Sequence, residues 1–318
     1  MRKFLKALFF FCFLVGGAFA QDYPSKPVRF IVGFPPGGST DILGRLIAQS
    51  AKERGWEAVV DNRPGAMGTI GNNAVAKADP DGYTLLVAGG SVVVAVPHLR
   101  VSLPYDALND LLPVVQISTH PAFLASEPTF EAKTISELIT LAKKRPGSLN
   151  LGSPGVGSAY HLAIEWFNGL AGTNIQHVPY QGGAAVLNGL LGKQVHLLFD
   201  SASFLKPLVD SGKVRLIAVT GSKRDPQFPE IPTIAETFTG FEITAWLGIF
   251  VPKGTPPKIV GYLNKEISLI LTMPEMMRVW KDRGMEFVPN SQEEFAVFVK
   301  KEYDRYGDLI RKIGIKPQ

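Results

Sequence analysis

The chain has 318 residues, 46% of them hydrophobic and 19% charged, with a formal net charge of +5. That length suits two domains, and that balance excludes a disordered or collagen-like chain. The single cysteine, Cys12, falls in a segment that reads as a leader, which leaves the mature chain no thiol for a nucleophile, a disulfide or a metal.

Arg2, Lys3 and Lys6 precede or open an apolar run, Phe4 to Val15, too short to span a bilayer. Ala18-Phe19-Ala20 then gives the small-x-small pattern of a signal peptidase site. The expectation is a signal peptide over residues 1–20, cleavage after Ala20 and a periplasmic protein. Phe9, Phe10 and Phe11 before Cys12 do not fit a lipid-attachment site. Removing the leader's three basic residues leaves 30 basic against 28 acidic, or +2, dispersed along the chain. That charge makes no case for nucleic acid.

Val28 to Phe34 reads as a strand, β-branched and aromatic, and Thr40 to Arg54 as a helix. Between them, Phe34-Pro35-Pro36-Gly37-Gly38-Ser39-Thr40-Asp41 offers small residues, hydroxyls and free amides at a helix start. That is either an anion site or a tight turn capping its own helix. Ala58 to Asp61 is the second strand, followed by Asn62-Arg63-Pro64-Gly65-Ala66. Arg63 there could clamp a carboxylate, but more ordinarily pins its own loop. Tyr83 to Ala88 is the third strand; it ends in Gly89-Gly90-Ser91 and runs on through Val92-Val93-Val94-Ala95-Val96.

Thr134 to Lys144 reads as a helix with a capping box, Thr134 with Glu137. The strand Leu149 to Gly152 leads through Ser153-Pro154-Gly155-Val156-Gly157-Ser158 into a helix from Ser158 to Ala171. This repeats the strand–glycine/serine–helix arrangement of the first loop, as two halves facing across a cleft would. His177 to Tyr180, Gly183 to Leu191, Val195 to Asp200 and Val214 to Thr220 continue the alternation, with Phe199-Asp200-Ser201 at a fourth strand end. Asp200 there is a helix cap or a polar contact in the cleft. Three helices follow: one marked by Ile259, Leu263, Ile267 and Ile270, then Pro274 to Arg283, then Ser291 to Lys312 with a second capping box, Ser291 with Glu294.

Strand, helix, strand in series predicts an α/β protein with parallel sheets flanked by helices. The late helices pack most simply on the first block. The expectation is two lobes, 21–121 with 245–318, and 122–244, with crossings near Pro121 and Trp246.

Enzyme motifs are missing. There is no G-x-S-x-G, and Gly155-Val156-Gly157 lacks the third glycine of a dinucleotide loop. Gly192-Lys193 is followed by Gln194, not by the Ser or Thr of a phosphate loop. His98, His120, His161, His177 and His196 show no metal-ligand spacing with one another or with a glutamate. No cofactor and no metal is expected.

The combination of Tyr23-Pro24-Ser25-Lys26-Pro27, the Phe34–Asp41 loop, Asn62-Arg63-Pro64-Gly65-Ala66 and Ala76 to Leu86 resembles the Bug family of extracytoplasmic solute receptors. Leu103-Pro104-Tyr105-Asp106, His177-Val178-Pro179-Tyr180, Phe199-Asp200 and Ala245-Trp246 are similar as well. Those receptors are the binding components of tripartite tricarboxylate transporters. The resemblance implies a two-lobed, periplasmic-binding-protein clamshell that closes on a dicarboxylate, an aromatic acid or an acidic amino acid. It implies a monomer that docks on a two-subunit membrane permease. It places Gly37, Gly38, Ser39 and Thr40, with Phe34 in the same loop, at the carboxylate. Ser153, Gly157, Ser158 and His161 supply the second lobe's face, His161 by contact or by orienting its loop. Gly90 and Ser91 and then Asp200 complete the candidate set. If the valines after Ser91 face the cleft they favour a ligand with an apolar body; if they face the core they are silent. The alternatives are a hydrolase with His161 or Asp200 as general base, or a sensor docking on a membrane kinase.

Overall fold

The computed structural model of the chain describes residues 23–283 and 285–317. The leader, Cys12 and the cleavage position after Ala20 lie outside the described residues. Val28-Arg29-Phe30-Ile31-Val32 forms β1 (Val28–Val32), buried except at Arg29, as befits β-branched and aromatic residues in a central strand. α1 (Ser39–Glu53) lays Leu43, Ile47 and Ala51 on the sheet, and β2 (Ala58–Asn62) returns parallel to β1. A tight turn at Ala66–Gly68 opens α2 (Thr69–Ala76), and β3 (Thr84–Gly89) pairs with the other edge of β1. Two short helices, α3 (Gly90–Val94) and α4 (Val96–Leu99), follow directly.

The chain then enters β4 (Leu111–Ser126), a strand of 16 residues that belongs to both halves of the molecule. Up to Pro121 it pairs antiparallel with β9 (Thr244–Pro252), which itself joins β3. From Ala122 onward it pairs instead with β7 (Leu197–Ser201) and β8 (Arg215–Val219). α5 (Ile135–Lys144), β5 (Asn150–Ser153), α6 (Ala159–Ala171), β6 (Gln176–Pro179), α7 (Gly183–Leu191) and α8 (Ala202–Asp210) complete that half. The strand order is β2-β1-β3-β9-β4-β7-β5-β6, with β8 on β4. The sheet is therefore mixed, where strand–helix alternation predicts parallel sheets. β4 and β9 run antiparallel to their neighbours because each carries the chain between halves. α9 (Pro257–Leu271), α10 (Pro274–Arg283) and α11 (Gln292–Lys312) pack back on the first half, with Leu263, Ile267 and Ile270 fully buried.

One hydrophobic core runs through both halves, joining Leu86, Phe250 and Tyr306 to Leu138, Leu162 and Phe167. Smaller cores lie under α1 and α9 and under α7 and α8. At the switch point Thr220 is wholly buried. Its hydroxyl accepts the Ala122 amide at 2.9 Å and donates to the Ile243 carbonyl at 2.5 Å, so one side chain ties both crossings together. Among the described residues no helix is long and apolar enough to cross a membrane.

Candidate ligand-binding site

The loop after β1 is organised by Asp41. Its buried carboxylate accepts the Gly37 amide at 2.9 Å, Asn62 Nδ2 at 2.8 Å and Arg45 Nε at 3.0 Å. Burial alone would raise this carboxyl, but the bonds from Arg45, Gly37 and Asn62 outweigh it and hold it below the usual range. Asn62 Nδ2 also reaches the Phe34 carbonyl at 3.0 Å. The amides of Gly38, Ser39 and Thr40, and the hydroxyls of Ser39 and Thr40, take no partner among the described residues. They stand at the positive end of a helix of 15 residues, where an anion is favoured. Arg63 pairs with Asp61 at 3.0 Å and stays with its own loop.

Beside this loop the chain holds Ala66 and Met67 at φ of 46° and 57°, between Gly65 and Gly68. Left-handed backbone costs a non-glycine residue about 1 kcal/mol or more, and such strain gathers at functional sites. The Phe34 ring covers Gly68, and Met67 reaches across to the other half: a Cβ built on Gly155 would stand 2.7 Å from its sulfur. A Cβ on Gly157 would likewise lie 3.1 Å from Leu99 and 3.6 Å from Val96. The two glycine/serine loops are thus bridged by the 65–68 turn and α4, which sequence reasoning missed; the nearest signal was the paired glycines, Gly65 and Gly68.

Gly90 is a packing glycine, since any Cβ would drive into the Trp246 indole. Ser91 is half-buried beside it. The valines that follow divide: Val93 and Val94 are core, Val92 packs on Gly68, and Val96 reaches Gly157.

In the second half, Ser158 caps α6 by accepting the His161 amide at 3.1 Å. His161 Nδ1 accepts the Gly157 amide, also at 3.1 Å. His177 Nε2 lies 2.6 Å from the Ser153 hydroxyl, which in turn accepts the Gly155 amide at 3.2 Å. The two imidazoles lie against each other, tilted by 31°, with centroids 4.2 Å apart. Burial pushes both down to about 4, His177 also through His161, so both are neutral near pH 7. Gly157 and the Ser158 hydroxyl are therefore already engaged. The amides of Val156, Ala159 and Tyr160 take no partner among the described residues and are the donors this loop can offer.

His161, Glu165 and His177 also bring ligand atoms within 4.8 Å of one another, a constellation that the reading of histidine spacings did not find. Glu165 stands one helical turn after His161, and β6 adds His177. A metal-bound imidazole keeps a proton on its outer nitrogen, which donates. The outer nitrogen of His161 accepts instead, which leaves the proton on Nε2, 3.9 Å from Glu165. The donor set fits a neutral pair bracing the loop and does not fit a metal ion.

Asp200 is the last but one residue of β7, with 5% of its surface exposed, its Oδ1 accepting the Ser201 amide at 2.7 Å. Two open surface hollows, of about 250 Å³ along α5 and about 450 Å³ between Pro97 and Asp106, lie apart from these loops.

Residues 43–315 match the tripartite tricarboxylate transporter family receptor. The chain is 35% identical to protein BugT of Bordetella pertussis over 300 residues, 93% of this chain and 92% of that protein. A Rhodopseudomonas palustris protein solved with adipate superposes with a TM-score of 0.88 at 34% identity, covering 93% of this chain and all of the other. MatC of the same organism, solved with bound malate, gives 0.83 at 32% identity, covering 91% of this chain and all of the other.

Proposed function

The chain belongs to the tripartite tricarboxylate transporter receptor family, the Bug-type extracytoplasmic receptors, and from that premise we propose that it captures a small organic carboxylate between two lobes and delivers it to a two-subunit membrane permease. It is a solute-binding receptor of the two-lobed periplasmic type, not an enzyme. The lobes are 21–121 with 245–318, and 122–244, and a leader ending at Ala20 sends the monomeric receptor to the periplasm.

One observation carries the ligand class. Unclaimed amides open α1 in one half and α6 in the other, on either side of the contact between Met67 and Gly155. Two anion-binding helix ends facing one cleft suit a molecule with a carboxylate at each end. Gly38, Ser39 and Thr40 take the first carboxylate on their unclaimed amides, Gly37 shaping the loop through its bond to Asp41 and Phe34 flanking it. The loop of Ser153, Gly157 and Ser158, braced by His161, presents the amides that take the second. Gly90, Ser91 and Asp200 line the floor. The adipate and malate bound by the two R. palustris proteins support that class. Closure expels water, and the charge-assisted bonds to backbone donors strengthen in the drier cleft.

The test is a thermal-shift panel of succinate, adipate, L-malate, L-aspartate and phthalate. A ligand at a hundred times its Kd adds about 2.7 kcal/mol of stability. A clear shift with the compound recovered unchanged is the expected result; a flat response to all five overturns the reading.

A further inference from the structure

Among the described residues no cation answers the charge of Asp200. Asp200 sits beside Phe123 of β4 near the end of β7, which runs parallel to β5, so that the loop into α6 leaves the same end of the sheet. Oδ1 accepts the Ser201 amide, and the Ser201 hydroxyl lies 3.5 Å away. Oδ2 accepts from no donor among the described residues. It faces Gly183, the first residue of α7, where a built Cβ would stand 3.1 Å from it. The titratable neighbours are tyrosines: Tyr160 of α6 feels the Asp200 charge, and Tyr306 of α11 acts on Tyr160 in turn. No lysine, arginine or histidine among the described residues acts on the carboxyl. Burial pushes it up to about 7 against the pull of the two Ser201 bonds, so both protonation states are within easy reach near neutrality.

We propose that Asp200 binds the solute as a neutral acid, donating its proton to a ligand carboxylate oxygen, so that above neutral pH each solute is captured together with one proton from solvent. This rests on the carboxylate-receptor reading. A carboxylate seated on the Ala159 and Tyr160 amides would meet Oδ2 at the mouth of α6. Two anions there repel, whereas a shared proton makes the contact a short O–H···O⁻ bond. The balance is simple: receptor carboxylate, ligand anion and one proton from water give the complex, with no other reactant. A ligand that brings its own ammonium to Asp200 would bind without the proton, so Asp200 selects unsubstituted acids as pH falls.

The experiment is isothermal titration calorimetry of the purified protein with the tightest binder of the five acids. It is run at pH 6.5, 7.5 and 8.5 in phosphate and in Tris, whose different ionisation heats report the proton count. The expected result is uptake of about one proton per ligand at pH 8.5, with Kd rising about tenfold from pH 7.5 to 8.5. Asp200→Asn should take up no proton and should bind more tightly than the wild type at pH 8.5, because its amide always donates. Binding without proton uptake at pH 8.5, or a pH dependence that survives in Asp200→Asn, overturns the proposal and leaves the receptor standing. Failure of all five acids to bind removes the carboxylate reading on which the proposal rests.

Discussion

Gly37 and Gly38 are adjacent, exposed and unlike. Gly37 holds φ at +96°, where an L side chain is strained, and its amide is fixed by Asp41. Gly38 has an ordinary φ of −79° and nothing within 4 Å of a built Cβ. The backbone therefore tolerates any side chain at Gly38, but that side chain would stand over the free amides of α1. Gly38→Val should cost only the difference between a good and a poor helix cap, about 1 kcal/mol, with a melting shift of about 2 °C. Its affinity for a carboxylate should fall at least about a hundredfold, the loss of two charge-assisted bonds. Calorimetry and a thermal melt on the same sample check both halves. Unchanged affinity would move the carboxylate off this loop.

The pattern of the elements shows what sequence could carry. α7 spans Gly183–Leu191 as the apolar spacing predicts, and Ser291 with Glu294 closes a full capping box on α11. The box on α5 is only half built: Thr134 accepts the Glu137 amide, but the Glu137 carboxylate takes the Lys133 amide instead. β4 and β9 were illegible for local reasons. Pro113 and Pro121 punctuate β4, and both are tolerated where register breaks, one at a shift beside Val115 and the other where the strand changes sheets. Gly248 interrupts β9 because the Phe295 ring occupies the space of its side chain. The site followed the same rule. Its glycine loops were visible as strings of small residues, while Met67, Leu99 and His177 reach it from elements distant in sequence. The two crossing strands also locate a test. Thr220→Val keeps the volume but removes the acceptor for the Ala122 amide and the donor for the Ile243 carbonyl. Stability should fall by about 2 kcal/mol, the usual cost of stranding buried polar groups. Hydrogen exchange at Ala122 should quicken; protection as in the wild type would mean that the crossing is held by packing alone.

For the whole molecule, a core shared by both lobes predicts one cooperative unfolding transition, whose pH dependence is set by buried titratable groups. Burial pushes His120, His161 and His177 down to about 4, against about 6.5 in an unfolded chain. Below pH 6.5 the unfolded state binds protons that the folded state refuses, so their contribution is present above 6.5 and is lost as pH falls toward 4. Asp200 has the opposite sign. Its carboxyl, pushed up to about 7, contributes stability that is present in acid and is lost as pH rises through 7. Asp41, held below the usual carboxylate range, loses its contribution only at lower pH. These three histidines thus oppose Asp200 across the same window, with His98, also lowered by burial, on their side and Glu165 and Asp225, also raised by burial, on that of Asp200. Stability of the ligand-free protein should climb from pH 4.5 to 6.5, at its steepest by about 2 kcal/mol per pH unit. A melting temperature that is flat or falling over that range would mean that the histidines are charged in the fold. Asp200→Asn removes the opposing contribution and should steepen the climb between pH 5 and 7; superimposable wild-type and variant profiles would show that Asp200 does not titrate there.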